Sequence, residues 1–157
     1  MKIEQRWMMR WDTGLAFMTI IMGATGVAQA QDMSQFERLK HHLLAGNRTI
    51  SLLYASKCEQ VAGDKHKSPD IIGGHVIGSF MNVKAPKETI MFSESHFTVR
   101  PDDTPTVEFV RYEVTPDEMA TITVKMLSPK TYDPVAQTQT FHCKLGDGLR
   151  FAYDSWK

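Results

Sequence analysis

The chain has no excess of charge: 18 Lys plus Arg balance 18 Asp plus Glu over 157 residues. A neutral balance, with charges interspersed rather than blocked, excludes a nucleic-acid binder that works through a strong basic field. Cysteine is scarce, with 2 in all, and the absence of a C-x-x-C motif argues against a redox-active or metal-binding pair. No G-x-S-x-G elbow marks a serine hydrolase. No repeat, low-complexity run or Pro/Gly-rich linker divides the chain. Nor is there a long apolar run: residues 13–27 are uncharged for about fifteen positions, interrupted by Gly23 and Gly26, whereas a spanning helix needs roughly twenty.

That short run has the anatomy of a secretory signal peptide over residues 1–30. Lys2, Arg6 and Arg10 form a basic n-region diluted by Glu4 and Asp12, and Ala28-Gln29-Ala30 supplies the small-x-small cleavage pattern. No adjacent Arg pair supports twin-arginine export, and no Cys near the cleavage site supports a lipoprotein anchor. The expectation is export through the general secretory pathway to the periplasm or beyond, with no stable membrane anchor after cleavage. Residues 31–157 then form a single domain, nearly neutral and expected to be a monomer. In an oxidising compartment Cys58 and Cys143 are expected to pair.

Residues 34–45 read as a helix. Ser34 and Glu37 have capping-box spacing, Phe36, Leu39 and Leu43 recur at three- and four-residue intervals, and Gly46 closes the segment. Adjacent His41 and His42 point about 100° apart, which suits a solvated helix end better than a chelate. From Arg48 the chain reads as strands. Residues 48–55 put Ile50, Leu52 and Tyr54 on one face, a polar loop fills 63–70, and HVIGSFMNV (75–83) follows. Thr115-Pro116-Asp117-Glu118 signals a type I turn. Strands at 138–145 and 149–153 are joined by Gly146-Asp147-Gly148, a tight-hairpin signal. The count of about seven strands after one helix predicts an α+β fold, mainly antiparallel: an N-terminal amphipathic helix packed on a curled or barrel-like meander.

The most chemically suggestive stretch is ETIMFSESHFTVRPDDTPTVEFVRYEV (88–114), a hairpin turned at 100–104. Ile90, Phe92, Glu94, His96 and Thr98 share one face of the first strand, and Arg111, Glu108 and Tyr112 come from the second. Charges buried there need partners.

The order of SQFERLKHHLLAG (34–46), a cysteine after the first strand, IIGGHVIGSFM (71–81), TIMFSESHFTV (89–99), VEFVRYEVTPDE (107–118), LSPKTYDPV (127–135) and TFHCKLGDGLRF (140–151) resembles the VirK family of small exported bacterial proteins. The resemblance covers nearly all of residues 31–157. It implies an association with virulence or host interaction in Gram-negative bacteria, and it brings no agreed catalytic residues. Where the family pattern has Asp this chain has Glu94, which keeps a carboxylate.

Four readings of the hairpin compete. Glu94, His96, Glu108 and Arg111 can satisfy one another as a buried polar network that fixes strand register. Alternatively, Glu94, His96, Glu108 and Arg111 orient a guest, a small apolar ligand or a protein partner, in a barrel mouth lined by Phe92, Phe97, Phe109 and Tyr112. A metal site would draw His96 together with His75 or His142, without ligand spacing to support it. A hydrolase using Ser93 or Ser95 fails because both serines face away from His96 on their strand. No catalytic residue, metal ligand or cofactor is therefore assigned, and the expectation is binding rather than catalysis, with an enzyme centred on 88–114 as the alternative.

Overall fold

The computed structural model describes residues 33–63 and 70–154. The leader expected over 1–30 and most of the polar loop expected over 63–70 lie outside the described residues.

Helix α1 (Gln35–Leu44) starts where Ser34 Oγ accepts from the Glu37 amide at 3.1 Å. The other half of the expected capping box is supplied from a distance. Glu37 turns to Lys40 at 2.6 Å, and the Glu118 carboxylate accepts from the Gln35 and Phe36 amides at 3.0 Å each. A carboxylate on these otherwise orphaned first-turn donors also suits the positive end of the helix dipole. The helix stops in a Schellman motif: Gly46 has φ 73°, its amide donates to Leu43 O at 3.1 Å, and that of Asn47 donates to His42 O at 3.0 Å. Phe36, Leu39 and Leu43 form the buried stripe.

Nine strands follow among the described residues: β1 (Arg48–Tyr54), β2 (Glu59–Ala62), β3 (Ile72–Val76), β4 (Met81–Val83), β5 (Thr89–Val99), β6 (Pro105–Thr115), β7 (Met119–Leu127), β8 (Gln139–Lys144) and β9 (Leu149–Asp154). They build a three-stranded sheet ordered β3-β1-β9 and a six-stranded sheet ordered β2-β8-β7-β6-β5-β4. The expected α+β class holds, with antiparallel pairing between these strands and a helix over the core. The strands curl into two sheets without closing a barrel.

Two corners depart from the sequence reading. HVIGSFMNV is not one strand: it divides into the end of β3 and all of β4, which lie in different sheets. Ile77 and Phe80 pack against the core between them. Gly146-Asp147-Gly148 likewise does not fold β8 and β9 into a paired hairpin. It passes the chain from the large sheet to the small one, where β9 pairs with β1. Gly148 is needed for closeness: a Cβ there would lie 2.8 Å from Cys58 Sγ, while its carbonyl accepts from the Tyr54 amide at 2.8 Å.

β1 also presents a different face to the core than its hydrophobic pattern suggests. Thr49, Ser51 and Leu53 point inward, with Thr49 and Ser51 fully buried, and Ile50, Leu52 and Tyr54 form the other face. Small residues suit this position because Ser51 stands between His75 on β3 and Phe151 on β9, two rings that fill the space.

Cys58 and Cys143 form the expected disulfide across 85 positions. It joins the segment leaving β1 to β8, at a corner between the sheets. Closing a loop of that length stabilises the fold by about 4–5 kcal/mol in the chain-entropy account. The core gathers beside it: Phe36, Leu39, Ile90, Val114, Ile122 and Leu149 are all fully buried.

Candidate functional site: the open half of the central hairpin

The register of β5 on β6 settles which candidate residues can meet. Phe92 faces Tyr112, Glu94 faces Val110 and His96 faces Glu108, all on the inner side of the large sheet. Ser93 faces Arg111, Ser95 faces Phe109 and Phe97 faces Val107 on the outer side. Glu94, His96, Glu108 and Tyr112 therefore share a face, and Arg111 lies on the opposite one. It pairs there with Glu113 at 2.7 Å, so the expected Arg111 contribution to a single inner network does not form.

The missing partner comes from the small sheet. His75 of β3 sits against the Phe92 and Tyr112 rings, at centroid distances of 5.8 and 5.2 Å, with Nδ1 3.1 Å from a Glu94 oxygen. The distance is that of an ion pair, but the ring is not aligned for a hydrogen bond, and among the described residues neither ring nitrogen has a hydrogen-bond partner. Burial pushes the imidazole below its ordinary pKa, and the Glu94 carboxylate works against that shift. Tyr112 stacks on Phe92 at 4.6 Å and is 3% exposed. Burial, helped by the negative charges of Glu94 and Glu108, raises its phenol and keeps it neutral. Farther along, His96 Nε2 lies 3.3 Å from Glu108 in a setting half open to solvent. The inner face thus grades from stacked aromatics, through a half-buried imidazole, to a more exposed His96–Glu108 contact.

The outer face carries a pocket of about 260 Å³, lined by Phe80, Met81, Met91, Ser93, Phe109 and Arg111 among others. That volume lies below the usual range for drug-sized ligands and suits one side chain or the end of a longer chain. Sequence reading named Phe109 and Arg111 but missed Phe80 and Met81, because β4 was hidden inside a longer apparent strand, and Met91, which lies on the β5 face away from Glu94 and His96. Phe97, expected in a pocket lining, is instead 64% exposed near the end of β5, as is Val99 at 55%.

Of the other histidines considered, His142 is exposed on β8 and pairs in register with Thr121 and Glu59. Among the described residues no three His, Cys, Asp or Glu side chains converge as metal ligands. At the helix end His41 is solvated as expected, whereas His42 stacks on Tyr153 at 3.9 Å, its Nδ1 receiving Asn47 Nδ2 at 2.9 Å.

One helix on two antiparallel sheets, stapled at a corner by one disulfide, defines a small α+β domain. The chain belongs to the VirK family, whose VirK protein model matches residues 32–132. It is 25% identical over 138 residues to the uncharacterized protein y4wH of Sinorhizobium fredii, covering 88% of this chain and 91% of that protein. It is 29% identical over 63 residues to an uncharacterized protein in the pinF2 3' region of Rhizobium radiobacter, 40% of this chain and 43% of that one. The crystal structure of lpg1832, a VirK family protein from Legionella pneumophila, has the same fold. The TM-score is 0.65 at 21% identity, covering 75% of this chain and 95% of that one.

Proposed function

We propose that the chain is an exported VirK protein that acts by binding, not catalysis, through the outer face of the β5–β6 hairpin. The observation that carries this reading is the Phe80–Met81–Met91–Phe109 pocket, which offers apolar walls and one polar rim at Ser93 and Arg111. Methionine-rich walls adapt to different guests, and the volume favours an apolar group presented by a larger partner or a small ligand. The Cys58–Cys143 disulfide supports export, and among the described residues no helix is long and apolar enough to cross a membrane. The resemblance to VirK proteins supports a role in virulence or host interaction at or beyond the bacterial envelope.

The test is fluorescence of anilinonaphthalene sulfonate, an apolar anion matched to this lining. The native protein should enhance its emission, and Phe109→Glu should abolish most of the enhancement while leaving the circular dichroism unchanged. Equal enhancement by both proteins would remove the pocket from consideration.

A further inference from the structure

β4 pairs only with Thr89, Ile90 and Met91 of β5. Beyond them, among the described residues, no strand pairs with 92–99 on that side. This is a long free edge with continuous register to β6, and no Lys, Pro or bulge blocks it. Natural sheets usually blunt such an edge, because its unpaired amides and carbonyls template another strand. Here the edge carries the exposed Phe97 and Val99 instead.

We infer that a second copy of this chain pairs along this edge, β5 against β5, in an antiparallel two-fold dimer centred on Ser95. The inference rests on the reading of the outer pocket as a binding site and names its occupant. A two-fold axis perpendicular to the sheet keeps inner residues with inner and outer with outer, so the register must centre on one residue. Centring on Glu94 sets carboxylate against carboxylate, and centring on His96 sets imidazole against imidazole. Centring on Ser95 places Glu94 of each copy opposite His96 of the other, twice by symmetry, so that each carboxylate meets an imidazole able to donate to it, and such complementary cross-strand pairs favour that register. On the outer side the same register sets Phe97 of one copy opposite Ser93 of the other, and the pairing spans 92–98 because the edge of Met91 is already taken by Met81 of β4. Ser93 and Met91 are walls of the pocket. The exposed Phe97 thereby meets an apolar pocket of one-side-chain size. The monomer expected from composition is then the dissociated form.

The chain's two native cysteines are already paired, so an added cysteine reports on geometry alone. Facing residues have Cβ atoms about 4.5–5.5 Å apart, so Ser95→Cys should form an inter-chain disulfide on mild oxidation. Ser93→Cys, whose two copies are offset by four positions or roughly 13 Å, should form it roughly tenfold more slowly. Sedimentation of the native protein should show a mass rising from one chain to two with concentration. Phe97→Asp, on an exposed position, should keep the native circular dichroism, remain a single chain and bind anilinonaphthalene sulfonate more strongly. A single-chain mass at every concentration, or a dimer in which Ser95→Cys links no faster than Ser93→Cys, overturns the inference. In either of those cases the Phe109→Glu comparison decides separately whether the pocket reading stands.

Discussion

Strands β5 and β6 run the length of the large sheet, yet their two halves live in different surroundings. At one end Ile90, Phe92, Tyr112 and Val114 are buried in the core with Phe36 and Leu39 of α1. The neighbouring Glu118 turn caps that helix and the disulfide closes the corner. At the other end Glu94, His96 and Glu108 replace the apolar inner positions, and Phe97 and Val99 stand in solvent. No break in register separates the halves. The β5–β6 ladder is continuous, and side-chain chemistry together with the short β4 on one edge divides it into a closed half that holds the fold and an open half free to meet something else.

Breaking the closed half should have the largest effect. Replacing Cys58 and Cys143 with Ser should destabilise the domain by about 4 kcal/mol, read as a lower urea midpoint. An unchanged midpoint would mean that the staple does not constrain the unfolded chain. Next comes the long-range cap. Glu118→Ala leaves the Gln35 and Phe36 amides without their acceptor and should cost about 1–2 kcal/mol, with Glu118→Gln recovering part of it.

The boundary between the halves should respond to pH through His75. Its folded-state pKa lies below the ordinary 6.5 because burial disfavours the charged ring, so the unfolded chain takes up this proton first as pH falls. The stability linked to His75 is thus complete above 6.5, declines as pH drops from there toward the folded value, and levels off below it. His42 is shifted in the same direction, also chiefly by burial. The melting-temperature difference between native protein and His75→Phe isolates the His75 share, and it should open only on the acid side of 6.5. The smallest effect is expected in the open half. His96→Gln should change monomer stability by no more than about 0.5 kcal/mol, and a core-sized loss would show that this half is structural after all.

Much of the closed half was legible from sequence because its signals are local. Ser34 and Gly46 cap a helix by side-chain and backbone chemistry confined to a few residues, the Thr115–Glu118 turn follows from Pro116, and a chain with two cysteines leaves one pairing within it. What stayed hidden depends on parity and on contacts between distant segments. Whether Arg111 joins Glu94 is fixed by the length of the 100–104 turn, where Asp103 takes φ 62° and the Arg100 amide donates to Thr104 O at 3.0 Å. One residue more or less would bring Arg111 to the inner face. His75 reaches Glu94 only because β3 belongs to the other sheet, and nothing in its local pattern announces that. The same applies to β1, where the apolar Ile50, Leu52 and Tyr54 look like a core face, while Thr49 and Ser51 are buried because large rings already occupy the space across from them.

Amide hydrogen exchange resolved along β5 tests the division most directly, since local opening follows burial and pairing. In dilute protein, exchange should be slow at Ile90 and Phe92 and should quicken through Glu94 toward Val99. The fast half should slow as the protein is concentrated and the edge becomes paired. Uniform protection along the whole strand at every concentration would contradict the account, because the two halves of the hairpin would then be one closed structure.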